Sequence, residues 1–136
     1  MRVVFFQVQQ AKEKIDRLIE TVTTHFEKGD CVILFVEDEK AAHYVDDLLW
    51  KTPPTSFLPH SISDFPTKEA IAITRMKANI NEAKYAFNLC STPLLIDPPF
   101  KIVYEYEDLT SPAKQQTSAL RFDAYKKASW LIEARA

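Results

Sequence analysis

Cys31-Val-Ile-Leu-Phe-Val36 is an unbroken apolar run of strand length. A strand with one wet face alternates apolar and polar residues. This one does not, so it reads as a strand buried on both faces, the habit of parallel sheets covered by helices. Glu37 to Trp50 follows at helical spacing, with Ala41, Tyr44, Val45, Leu48 and Leu49 expected inward. Glu37, Asp38 and Glu39 at its start complement the positive end of the helix dipole. On the other side, Arg2 to Val8 is a β-branched and aromatic strand candidate. Gln10 to Lys28 carries Ile15, Leu18, Ile19, Val22 and Phe26 on one helical face, and Gly29 suits the left-handed residue that ends such a helix.

Further along, Pro53, Pro54, Pro59 and Pro66 predict mostly irregular chain from Lys51 to Pro66. Ile71–Thr74, Tyr85–Cys90 and Phe100–Tyr106 read as strands. Pro112 to about Glu133 reads as one helix with Leu120, Ala124, Lys127/Ala128 and Leu131 along a face. The order predicts an α/β fold: a single domain spanning residues 1–136, with a largely parallel sheet flanked by helices. Nucleotide-binding folds share that architecture and hold ligands at the carboxyl ends of their strands.

The chain has 136 residues, a net charge of −2 and one glycine, Gly29. Phosphate loops need several glycines for positive φ and close backbone approach, so a Walker loop and a dinucleotide fingerprint are excluded. The charge balance and the lack of a basic stripe argue against direct nucleic-acid binding. Cys31 and Cys90 lie in apolar runs and read as buried thiols. The apolar run at the amino terminus is too short for a signal-peptide core or a membrane span, so a soluble cytoplasmic protein is expected.

No catalytic set emerges. Glu37, Asp38 and His43 are the best candidates for a divergent metal-dependent hydrolase or nuclease, but capping and a solvated helix face explain them without a metal. His25 suits the negative end of the first helix. His60 follows Phe57-Leu58-Pro59 in a stiffened loop, with no serine or cysteine on a sharp glycine turn to serve, so a backbone hydrogen bond is its expected role.

Several motifs stand together. Glu37-Asp-Glu-Lys-Ala-Ala42 opens the second helix, Asp47-Leu-Leu-Trp50 closes it, and Ser56-Phe-Leu-Pro-His60 follows. Gly29 to Leu34, Tyr106-Glu-Asp108 and Arg121-Phe-Asp-Ala-Tyr-Lys126 extend the pattern. Over most of its length, and more loosely from Ser61 to Phe100, the chain resembles the chi subunit family of bacterial DNA polymerase III. The resemblance implies a noncatalytic accessory subunit without cofactors, joining the psi subunit of the clamp loader to the carboxyl tail of single-stranded-DNA-binding protein. It implies Trp50 and Phe57 as the psi-binding aromatics; a rival reading is a generic interaction module that uses the same surface for a partner other than psi, such as a repair helicase. It places tail binding on the last helix, at Arg121, Phe122 and Lys126. Two basic family positions are Ala119 and Asp123 here, so the implied patch is thinned, or rebuilt from Lys114, Arg121, Lys126 and Lys127.

Overall fold

The computed structural model describes residues 1–51, 58–96 and 100–136. All four residues of β2 (Val32–Phe35) are buried, as a strand enclosed on both faces requires. Around it lie β1 (Arg2–Val8), α1 (Ala11–Glu27), α2 (Glu39–Trp50), β3 (His60–Ile62), β4 (Ile71–Thr74), β5 (Tyr85–Asn88), β6 (Ile102–Asp108), α3 (Pro112–Lys127) and β7 (Leu131–Arg135). The strands form one sheet in the order β3-β4-β2-β5-β6-β1-β7, every pairing parallel. The α/β expectation holds.

The alternation of each strand divides the core into two layers. Val4, Phe6, Leu34, Ile73 and Phe87 point to one face, where Leu18 and Val22 of α1 and Ala42, Val45 and Leu49 of α2 cover them. Val3, Phe5, Ile33, Ala72 and Val103 point to the other, under Tyr125 of α3, Trp130, and the loop residues Ile80, Leu94 and Phe100.

Local signals explain the helix limits. Asp38 caps α2 by accepting from the Ala41 amide at 2.8 Å. Ser111 caps α3 through the Lys114 amide at 3.2 Å, with Pro112 at the first helical position. Gly29, at φ +80, ends α1 with the amides of residues 29 and 30 bonded back to Phe26 and His25. His25 is buried between Asp30 (2.9 Å from Nδ1) and the Tyr104 hydroxyl (2.7 Å from Nε2), stacked on Tyr85. It is therefore a packed core histidine as well as a helix-end residue. Cys90 is buried, Cys31 half-buried, and both are free thiols.

Three expectations need correction. The last helix stops at Lys127, and Leu131 begins an edge strand, 70% exposed. The buried face of α3 is Ser118, Arg121 and Tyr125, while Leu120 is 64% exposed. The cause is Glu105, whose carboxylate enters the layer beneath α3 and requires donors there. Tyr44, expected inward, is 54% exposed, because Ala42 takes the inward position beside Val45 and Leu49. In addition, the proline-rich stretch contains β3, three residues long, which the proline pattern concealed.

Candidate functional site: an aromatic edge, a charged helix and a crevice

Trp50 is the last residue of α2 and 58% exposed. Its ring lies 4.6 Å from that of His60 at 53°. The His60 side chain is fully enclosed: Nδ1 donates to the Leu58 carbonyl at 2.6 Å, the expected backbone bond. Nε2 lies 2.9 Å from Asp46 Oδ1 without hydrogen-bonding alignment. An exposed indole thus rests on a ring that the backbone holds. Phe57, the other expected aromatic of this surface, lies outside the described residues.

The residues expected on α3 are placed differently from one another. Arg121 is buried, its Nε donating to Glu105 Oε1 at 3.0 Å. Its terminal nitrogens donate to the carbonyls of Ser91 and Tyr106 and to the Ser118 hydroxyl. Asn88 (2.7 Å) and the Tyr125 hydroxyl (2.6 Å) both donate to the second Glu105 oxygen. Burial raises the Glu105 carboxyl to about 7 even with Arg121 beside it. Arg121 is therefore part of an internal charge network that ties α3 to β6. Phe122 is half-buried with its ring 5.5 Å from Phe5. Lys126 is exposed, as are Lys127, Ala119 and Asp123.

Trp50 and α3 are not brought together. α2 packs on β3 and β4 on one face of the sheet; α3 packs on β6 and β7 on the other. Sequence reasoning missed Glu105, although a signal was present: a charge in the middle of a strand buried on both faces demands partners.

A crevice of about 510 Å³ opens at the carboxyl ends of the central strands, between α1, α2 and the start of α3. Glu37 lies on its rim, accepting from the Ser91 amide at 2.5 Å and hydroxyl at 2.7 Å. Those bonds hold its carboxyl below the usual range. Asp108 pairs with Lys14 at 2.5 Å and accepts from Thr110. Burial would raise Asp108, but Lys14 and Thr110 outweigh it and lower it. Glu37, Asp38 and His43 do not converge: Asp38 caps α2, and His43 is exposed beside Glu39 at 3.6 Å. Among the described residues, no group of three histidine, cysteine or acidic side chains could hold a metal ion.

The geometry is thus that of a nucleotide-binding-like sheet whose strand-end carboxylates are engaged within the protein. The family model of the DNA polymerase III chi subunit, HolC, matches residues 1–133. The chain belongs to that family. Chi membership places it with the DNA polymerase III complex as a replication accessory subunit. A comparison with curated proteins found no match. No helix among the described residues is long and apolar enough to cross a membrane.

Proposed function

We propose that the chain is a noncatalytic adaptor within DNA polymerase III, linking the psi subunit of the clamp loader to the carboxyl tail of single-stranded-DNA-binding protein. It works in the cytoplasm as one domain, residues 1–136, without cofactor and without touching nucleic acid itself. The observation that carries this reading is Trp50, a large aromatic left 58% exposed at the end of α2. Its support on His60 restricts the ring before any partner arrives, and aromatic anchors held in this way dominate protein interfaces. By the family resemblance, Phe57 is the second psi-binding aromatic.

Psi affinity measured for Trp50→Ala tests the reading. A loss of about 30-fold or more, as for an interfacial hot spot, with an unchanged melting temperature is the expected result. Unchanged affinity, or a collapse in stability, refutes it. A helicase competing with psi for wild-type protein but not for Trp50→Ala would identify a second partner of the same ring.

The tail contact rests on α3. Lys126 supplies exposed charge next to Phe122, and Lys127 adds to it. Arg121 positions the helix from beneath through Glu105. Titration calorimetry with the tail peptide decides this part: heat that Lys126→Gln diminishes supports it, and no heat at high micromolar peptide defeats it.

A further inference from the structure

The adaptor reading uses the Trp50 edge and the exposed face of α3, and leaves the crevice without a role. Its position follows from the winding of the sheet. β1 and β2 send the chain onto the face of α1 and α2, whereas β5 and β6 send it to the opposite face. The connections part at the carboxyl ends of these strands, where open α/β sheets hold their ligands. A volume of about 510 Å³ is that of a small-molecule pocket.

Its chemistry narrows the occupant. Ile15 and Leu18 of α1 and Ala41, Val45 and Leu48 of α2 form an apolar body. Of the carboxylates, Asp108 is balanced by Lys14, while Glu37, bonded only by the uncharged Ser91 amide and hydroxyl, keeps its charge at the rim. Arg121 at the floor is engaged by Glu105, Ser91, Tyr106 and Ser118. Lys114 at the mouth is exposed, and its ammonium has no ion-pair or hydrogen-bond partner among the described residues. The loops bordering the crevice contain no glycine; the helix starts beside it are capped by Asp38 and Ser111 on α2 and α3, and at α1 the Gln9 and Gln10 amides donate to Glu13. No array of free amides is therefore offered to a phosphate. One cation above an apolar slot suits a singly charged, planar anionic head on a hydrocarbon body.

We propose that this crevice binds a small amphiphilic carboxylate, its hydrocarbon between α1 and α2 and its carboxylate at Lys114. Titration of isotope-labelled full-length protein with octanoate, octanol and ATP, followed by amide NMR shifts, tests it. Octanoate is expected to shift the amides of Ala41, Val45 and Leu48 saturably at millimolar concentration, with octanol binding more weakly and ATP leaving these amides unmoved. Lys114→Gln should weaken octanoate about three- to five-fold, the scale of a single exposed charge pair, and leave octanol unchanged. Leu48→Trp, filling the slot, should abolish both; Ala41→Phe gives the same reading should Leu48→Trp fail to fold. Absence of saturable shifts at the crevice overturns the proposal. So does equal binding of octanoate and octanol with Lys114→Gln silent, and so does ATP displacing octanoate.

Discussion

α1 and α3 end on the same pair of backbone hydrogen bonds and cover the sheet with opposite chemistry. After α1, the amides of residues 29 and 30 return to Phe26 and His25; after α3, those of Ser129 and Trp130 return to Lys126 and Tyr125. The left-handed residue is Gly29 at φ +80 in the first case and Ser129 at φ 63 in the second. Inward from these ends, α1 presents Leu18 and Val22, with Thr21 and the Tyr104-bonded His25 beside them, while α3 presents Ser118, Arg121 and Tyr125 to a buried glutamate. Helix termination and helix docking are thus separable: one backbone motif serves an apolar interface and a charged one.

The largest test removes the charge partner. Arg121→Ala leaves Glu105 buried and uncompensated, and a loss of about 3–5 kcal/mol is expected by chemical denaturation at pH 8. The loss should shrink on acidification. Because burial raises Glu105 to about 7 in the folded protein from 4.5, folding holds a proton there that the unfolded chain has released. This group therefore subtracts stability as pH rises through that window, and more so without Arg121. Glu105→Leu combined with Arg121→Leu would recover most of the loss by making the α3 interface resemble that of α1. A single mutant near wild-type stability would show that the two interfaces do not differ in kind.

Leu18→Ala deletes apolar volume under α1 and should cost about 3 kcal/mol, with no comparable dependence on pH. Gly29→Ala tests the helix ends. No atom lies within 4 Å of where a Cβ would sit, so the cost is purely conformational, about 1 kcal/mol in melting experiments. Ser129→Gly is its mirror image and should stabilise by up to about 1 kcal/mol. Equal and opposite shifts would establish that the two ends are one motif.

This comparison also marks what could be read from the residues alone. α1 was legible to its end because its apolar spacing and its glycine agree. α3 was not, because serine in the left-handed position carries no glycine signal, and the apolar residues Leu120 and Leu131 mimic a continuing face. The residue pattern therefore carries the helix on to about Glu133, into β7. β2 was legible because six consecutive apolar residues permit few environments. At the candidate site, Trp50 was found through its motif, whereas the commitment of Arg121 to Glu105 depends on a contact across 16 positions that no local pattern records. The crevice was legible only as a strand-end location, since its walls meet through the crossing of two helices.

The register of β1 bears on how the chain is made. Arg2 pairs with Ile102 on one side and Leu131 on the other, so β1 has both its neighbours at least one hundred positions downstream. At ribosomal speeds that interval lasts about 5–20 s, during which Val3-Val-Phe-Phe6 has no partner within the sheet. Nascent chains of this topology must keep an aggregation-prone segment shielded until the carboxyl-terminal third arrives. Expression level should therefore respond to chaperone supply more sharply than equilibrium stability alone would suggest.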